Sequence, residues 1–225
     1  MLELSFIIPT YNRHQIVLKT IETIRKQYPE AEIIVVDDGS RDNTENEIKK
    51  RKDLKIVYLK NQINQGKGVS LRKGFEVASG RFIIFTDDDL PYGIEGIDLI
   101  IKALKDGHSI VMAERDRFYD NLIKKIGRKI FNSVFKTFLG IKIKDTQAGL
   151  KGFSQETGKK IFALSFTNRF AIDLEIVFLC QKLHYPIRFV SVRQQDTSPS
   201  SLSLSNLFYI FLDTLKIKFH HYELS

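Results

Sequence analysis

Residues 82–89 read Phe82-Ile83-Ile84-Phe85-Thr86-Asp87-Asp88-Asp89, an unbroken apolar run that ends in three consecutive carboxylates. A run without polar alternation is apolar on both faces, which suits a central strand of a parallel sheet covered by helices on each side. The stretch Ile33-Ile34-Val35-Val36-Asp37-Asp38-Gly39-Ser40 repeats the arrangement. Open α/β sheets bind ligands just beyond the carboxyl ends of their strands. Both acidic clusters, and Pro9-Thr10-Tyr11-Asn12 after an earlier apolar run, fall where binding chemistry is expected.

Outward from these runs, the first half of the chain alternates β-rich segments with longer helical patterns, the mark of a mostly parallel α/β sheet. Strands are expected at Leu4–Ile8, Glu32–Val36, Lys55–Leu59, Arg81–Phe85 and Ser109–Ala113. Helices are expected between them at Ile16–Gln27, Thr44–Arg51, Gly68–Ala78 and Ile97–Leu104. The second half changes character. It carries a basic amphipathic stretch from Leu122 to Leu139, a Gly-rich segment from Asp145 to Phe153, two further helical patterns, a strand at Arg188–Val192 and a final helix at Asn206–Tyr222. Thr197–Ser205, with five serines and a proline, reads as a loop or lid.

Adjacent carboxylates at a strand end repel one another and lose solvation unless something positive binds them. Oxygen ligands suit Mg²⁺ or Mn²⁺, and Asp87 and Asp89, two apart on an extended segment, would present their carboxylates on one side. The plain alternative is a solvated acidic turn. Asp37 and Asp38 can accept a ring N–H or sugar hydroxyls, or Asp38-Gly39-Ser40 can be turn chemistry alone.

With 225 residues, 43% of them hydrophobic and 28% charged, the chain is long enough for one substantial core and unlike a disordered segment. A net charge of +8 favours anionic partners without choosing among them. No nucleic-acid motif accompanies it, and the basic residues are not interleaved with stacking aromatics, so nucleic acid is not expected as a partner. The single cysteine, Cys180, reads as a buried structural thiol in a reducing, cytoplasmic setting. The N-terminus reads as a strand and not a signal peptide. Even the apolar C-terminal segment carries Asp213, Lys216 and Lys218, so no spanning helix is expected. The histidines His14, His108, His184, His220 and His221 lack ligand spacing, and His220 and His221 are expected at a solvated helix end.

The order of Ile8-Pro9-Thr10-Tyr11-Asn12, Val36-Asp37-Asp38-Gly39-Ser40-Arg41-Asp42-Asn43-Thr44, Asn64-Gln65-Gly66-Lys67-Gly68 and Asp87-Asp88-Asp89 resembles glycosyltransferase family 2. Within it, Asp145-Thr146-Gln147-Ala148-Gly149-Leu150-Lys151-Gly152-Phe153 and Phe170-Ala171-Ile172-Asp173-Leu174-Glu175 resemble the later motifs of dolichyl-phosphate mannose and glucose synthases and their polyprenyl-phosphate relatives. The resemblance covers roughly residues 4–202. It implies a GT-A fold, a nucleotide-sugar donor such as UDP-glucose or GDP-mannose, and transfer of a hexose with inversion. It also implies a polyprenyl phosphate acceptor at the cytoplasmic face of a membrane, with a membrane-protein partner conceivable.

By the same resemblance Pro9, Tyr11, Asp37 and Asp38 would line the base and ribose pocket, with Lys67 near the nucleotide or simply shaping its Gly-flanked loop. Asp87 and Asp89 would hold the metal and the donor diphosphate, with Asp88 among the donor-binding residues. Arg115 and Arg128 would meet the acceptor phosphate. The chain departs from the family pattern at Arg13, where glutamate is usual, at Asp88, where alanine is common, and at Pro91. A basic residue expected near Ser200-Ser201-Leu202 is missing, leaving Arg193 as a substitute.

No clear catalytic base is evident, which fits an acceptor phosphate that is already anionic. Asp145 is the candidate base if the acceptor is instead a sugar hydroxyl of a glycan or glycolipid. A catalytically silent nucleotide-sugar-binding scaffold is the third reading. Residues 1–204 are expected to form one domain, and 205–225 a C-terminal amphipathic helix. Membrane contact is expected through 122–139, with Ile123, Ile126, Ile130, Val134 and Phe138 on one face, and through a stripe of Phe208, Phe211, Leu215 and Phe219. A helical apolar stripe can equally pack on its own core.

Overall fold

The computed structural model describes residues 2–115, 139–141, 148–169, 171–194 and 204–221, with side chains in the last range from 212 onward. Arg128, Asp145, Phe170, Ser200-Ser201-Leu202 and all of the amphipathic stretch 122–139 except Leu139 lie outside the described residues.

The elements run β1 (Leu4–Thr10), α1 (His14–Gln27), β2 (Glu32–Asp37), α2 (Thr44–Lys50), a 3-10 turn (Lys52–Leu54), β3 (Ile56–Lys60) and α3 (Lys67–Val77). They continue as β4 (Phe82–Thr86), α4 (Gly93–Lys105), β5 (Ile110–Arg115), β6 (Leu150–Ser154), α5 (Gln155–Leu164), α6 (Ile172–Lys182), β7 (Arg188–Val192) and α7 (Leu204–His220). The described strands form one sheet in the order β3-β2-β1-β4-β6-β5-β7. Every pairing is parallel except those of β6, which runs antiparallel to both β4 and β5.

The apolar runs of β1, β2 and β4 are buried throughout on both faces, as their sequences require. Alternate residues feed two cores. Phe6 and Ile8 pack with Val17, Ile21 and Ile24 of α1 and with Ile97, Ile100 and Leu104 of α4. Ile7 and Phe85 point the other way, toward α3, α5 and α6. In that second layer Phe75 stacks on Phe162 at 3.7 Å between ring centroids and meets Phe153 edge-on at 5.4 Å. Full burial of side chains of this size contributes about 1.5–3 kcal/mol each.

The segment read as Gly-rich, 145–153, contains a strand. Lys151 and Gly152 break the apolar run that would have announced β6, yet the glycine is what lets α4 lie against it. A Cβ at Gly152 would sit 2.3 Å from Ile100 Cγ2 and 2.8 Å from Leu104 Cδ1. The helix α4 also begins earlier than its apolar residues suggest, at Gly93 rather than Ile97.

Helix α6 is buried on every side from Ile172 to Cys180, and burial pushes the Cys180 thiol up to about 12. It therefore carries Glu175 into the core, fully enclosed. The Glu175 carboxylate accepts the Phe166 and Thr167 N–H groups at 3.0 and 2.9 Å and the Thr167 hydroxyl at 2.6 Å. His221 Nε2 lies 2.8 Å from its Oε1. Burial raises the Glu175 pKa, but the bonds from His221 and Thr167 outweigh it and leave the group below its ordinary range.

The placement of His221 corrects the expectation of a solvated pair at the helix end. His220 is exposed, but His221 is buried beside Glu175. The face that α7 packs inward is Thr214, Ile217 and His221. The stripe read from sequence is a different face: Leu215 is half-buried and Phe219 is 73% exposed. The side chains of Phe208 and Phe211 lie outside the described residues. No described helix is long and apolar enough to cross a membrane.

The Glu175–His221 contact makes a stability prediction. His221→Ala leaves a buried carboxylate one partner short and should lower the free energy of unfolding by about 2–4 kcal/mol. Urea unfolding monitored by circular dichroism measures this, and an unchanged midpoint would mean that the end of α7 is not held on the core.

Candidate active site

Strands β2 and β3 extend the sheet on one side of β1, and the chain returns through α3 to place β4 on the other. The carboxyl ends of β1 and β4 therefore flank a topological switch point, where loops diverge and leave a crevice. Into it come the residues after β1 (10–13), after β2 (37–42), the 61–68 loop and the acidic residues after β4.

The acidic segment is a turn, not an extended strand end: the Leu90 N–H donates to the Asp87 carbonyl at 3.2 Å, and Leu90 has φ +48°. This corrects the geometry expected for Asp87 and Asp89, although their side chains do remain on the accessible side, 39% and 20% exposed. Asp88, expected among the donor-binding groups, turns inward and is buried. Its Oδ2 accepts the Thr10 hydroxyl at 2.9 Å and its Oδ1 accepts Arg13 Nη1 at 2.6 Å. Burial lifts the Asp88 carboxyl to about 6 even though Arg13 and Thr10 act in the opposite direction.

Asp87 is set by two groups that sequence reasoning passed over or left undecided. Its N–H donates to the Gly149 carbonyl at 3.2 Å. A Cβ at Gly149 would lie 1.8 Å from Asp87 Oδ2, so only glycine lets this carboxylate occupy its position. Lys67 Nζ donates to Asp87 Oδ1 at 2.8 Å and lies 3.7 Å from Asp173 Oδ2. Asp173 is in turn paired with Lys151 Nζ at 2.5 Å, and Lys151 also donates to the Ala148 carbonyl at 2.7 Å. The result is a line of alternating charges, Asp87, Lys67, Asp173, Lys151, drawn from the turn after β4, α3, α6 and β6.

Burial alone would lower the Lys67 pKa, but Asp173 and Asp87 outweigh it and raise it. Asp173 is held below its usual range because Lys151 and Lys67, with a contribution from Arg115, overcome the cost of burial. Asp173 is thus committed to ion pairs and is not a free proton acceptor. Its role and that of Lys151 were legible only as motif letters.

Lys67 is aimed by the glycines around it. Cβ atoms at Gly66 and Gly68 would lie 2.4 and 2.1 Å from the carbonyl oxygens of Asn168 and Thr167, and the Gly68 N–H donates to the Asn168 carbonyl at 2.8 Å. The loop over 165–169 is the one fastened to Glu175, so the buried acid on α6 indirectly sets the start of α3.

Asp37 and Asp38 are buried beneath this crevice and bind its loops. Asp37 accepts the Ser40 N–H at 2.7 Å and the Tyr58 hydroxyl at 2.5 Å. Asp38 accepts Asn61 Nδ2 at 2.7 Å, the Gln65 N–H at 2.9 Å and the Gly66 N–H at 2.7 Å. A carboxylate offers about four lone-pair sites, so acceptor capacity remains on each. Pro9 is half-buried and Tyr11 is 40% exposed at the rim. Arg115, half-buried at the end of β5, adds to the positive field that holds Asp173 in its ionised form. Pro91 is buried in the turn before α4, and Arg193 is exposed after β7.

The donor set fits a hard divalent cation that also takes ligand oxygens. Asp87 and Asp89 supply partly exposed carboxylates on one turn, and Mg²⁺ or Mn²⁺ is commonly held by one or two carboxylates together with substrate phosphates. Among the described residues no group of three His, Cys, Asp or Glu side chains forms a protein-only metal cage.

The sequence matches the model of Glycosyl transferase family 2 over residues 5–162. The chain is 29% identical to a dolichyl-phosphate beta-glucosyltransferase of Dictyostelium discoideum, covering 97% of this chain and 74% of that protein. It is 31% identical to the enzyme of the same description from Drosophila melanogaster, covering 90% and 70%. Among solved structures, glucosyl-3-phosphoglycerate synthase from Mycobacterium tuberculosis, in complex with Mn²⁺, UDP and glucosyl-3-phosphoglycerate, superposes with a TM-score of 0.71 at 16% identity. That match covers 97% of this chain and 79% of the other. The fold is therefore GT-A, and the chain belongs to glycosyl transferase family 2.

Proposed function

We propose that the protein transfers glucose, with inversion, from UDP-glucose to a polyprenyl phosphate of the dolichyl type. The observation that carries this reading is the pair of accessible carboxylates, Asp87 and Asp89, on the turn at the switch point, with Lys67 bonded to Asp87. Likeness to dolichyl-phosphate glucosyltransferases supports the choice of sugar and acceptor.

In this reading the nucleoside lies between the 10–12 loop and the loops fastened by Asp37 and Asp38, with Tyr11 at its rim. Asp87 and Asp89 hold the divalent cation, which when bound supplies Lewis-acid stabilisation of the departing diphosphate. Lys67 adds a fixed positive charge on the side of Asp87. An acceptor phosphate oxygen attacks the anomeric carbon in line, the bond from that carbon to the diphosphate oxygen breaks, and the electron pair leaves with the nucleoside diphosphate. No base is needed, because the attacking oxygen is already anionic. Arg115 steers it, with Arg128 as a second cation from the segment that follows. The hydroxyl-acceptor reading would need Asp145 as base; neither buried, ion-paired Asp173 nor enclosed Asp88 is suited to that task.

For membrane contact the exposed Phe219, between exposed Lys216, Lys218 and His220, gives the end of α7 an apolar tip in a basic surround. Such a pattern suits an anionic interface, each cation contributing about 1 kcal/mol. The basic segment 122–139 would add to it.

Incubation with labelled UDP-glucose or GDP-mannose, Mn²⁺ and a polyprenyl phosphate should carry label from UDP-glucose into the organic phase. Label entering only from GDP-mannose would overturn the choice of sugar, and label appearing only in a water-soluble glycan would favour the hydroxyl acceptor. Asp89→Ala should abolish turnover with the fold retained, and EDTA should do the same to the wild type; activity surviving either would remove the cation from this site. Gly149→Ala, by displacing the Asp87 carboxylate, should lower kcat/KM about a hundredfold. Arg115→Ala should raise the KM for the lipid phosphate far more than that for the nucleotide sugar; equal effects on both would take Arg115 out of the acceptor site.

A further inference from the structure

Two positions at which the sequence departs from the family pattern, Arg13 and Asp88, prove to be bonded to each other. Arg13 stands at the start of α1 and Asp88 in the acidic turn, 75 residues apart, with Arg13 Nη1 2.6 Å from Asp88 Oδ1. The second nitrogen of the same guanidinium, Nη2, lies 3.4 Å from Asp89 Oδ2. The turn is pinned further by Thr10 on Asp88 Oδ2 and by the Thr20 hydroxyl on the Asp88 carbonyl at 2.8 Å. Charge-assisted N–H to carboxylate bonds usually span about 2.7–2.9 Å. The contact to Asp88 is therefore a full bond, and the contact to Asp89 is a loose one.

The two residues explain each other. An aspartate at position 88 without Arg13 would be a buried carboxylate without a cationic partner, flanked by Asp87 and Asp89, and like charges at such spacing push the turn apart. An arginine at position 13 without Asp88 would bring its whole charge onto Asp89 and compete with any cation there. Together they cancel, and the guanidinium keeps only a restraining contact on Asp89.

We propose that Arg13 and Asp88 form a matched pair that positions the Asp89 carboxylate for a divalent cation while keeping it free to bind one. Neither residue touches the cation; both are positioning residues. The inference rests on the reading of Asp87 and Asp89 as the cation-holding pair.

The test is a double-mutant cycle on the full chain in the presence of UDP, with Mn²⁺ as the probe and free Mn²⁺ followed by electron paramagnetic resonance. Arg13→Gln takes from Asp88 and Asp89 the guanidinium that holds them in place, and Asp88→Asn frees that guanidinium to turn onto Asp89. Each should weaken Mn²⁺ binding about tenfold, the scale of one hydrogen bond to a charged group. Arg13→Gln combined with Asp88→Asn removes both charges and should recover to within about threefold of wild type, the mark of coupled sites. The Mn²⁺ activation constant should follow the same order, while the KM for the lipid acceptor stays put. Unfolding midpoints and metal-free UDP binding confirm that each variant is folded. Additive losses in the double variant, or single variants that bind Mn²⁺ as the wild type does, overturn the pairing. Asp89→Ala is the control for the underlying reading: if it retains normal Mn²⁺ binding, the cation site itself is misplaced. If it loses binding while the cycle is additive, only the pairing fails.

Discussion

The crevice and the core behind it carry more negative charge than burial would allow unaided: Asp37 and Asp38 are answered by neutral N–H and O–H donors, and four further acids by basic groups from distant parts of the chain. Arg13 answers Asp88, Lys67 answers Asp87, Lys151 and Lys67 share Asp173, and His221 closes on Glu175. Taking an ionised side chain out of water costs several kcal/mol, and removing one partner leaves that cost uncompensated. The pairings thus bind β1, β4, β6, α1, α3, α6 and α7 into one arrangement. A shift of any of these elements would strand a charge.

This constraint bears directly on chemistry. A site that is to hold a diphosphate and a divalent cation gains if its charges are fixed before the ligand arrives, since little reorganisation is then needed. Lys67 is held between Asp87 and Asp173 with its side chain only 14% exposed, so its position does not depend on the ligand. Asp87 is placed by the absence of a side chain at Gly149, and Asp89 is reached by Arg13. The two accessible carboxylates are the least buried members of a network whose other acids are shut in, which concentrates the unsatisfied binding capacity at the switch point.

What the sequence revealed was largely local. Continuous apolar runs marked β1, β2 and β4 because such runs have few other uses, and the acidic clusters at their ends marked the crevice. The strand β6 escaped notice because Lys151 and Gly152 interrupt its apolar run. The reason for each is a partner elsewhere: Asp173 for the lysine, Ile100 and Leu104 for the glycine. Asp88 looked equivalent to its neighbours in the sequence, but a turn rather than an extended segment rotates it toward Thr10 and Arg13. His221 looked like a helix-end histidine because Glu175, its partner, lies 46 residues earlier. Asp37 and Asp38 were recognisable as important, but that they fasten the loops at 40 and 61–66 and the Tyr58 hydroxyl of β3 follows from tertiary geometry alone.

In the proposed mechanism Asp87 and Asp89 together hold a divalent cation and the donor diphosphate at the crevice between β1 and β4. Crystals grown with Mn²⁺ and UDP, with data collected at the manganese absorption edge, test it most directly. The expected result is an anomalous peak within coordination distance of carboxylate oxygens of both Asp87 and Asp89 and of the UDP phosphates. UDP bound with its phosphates on Lys67 and Arg13 and no such peak, or a peak away from the acidic turn, would contradict it.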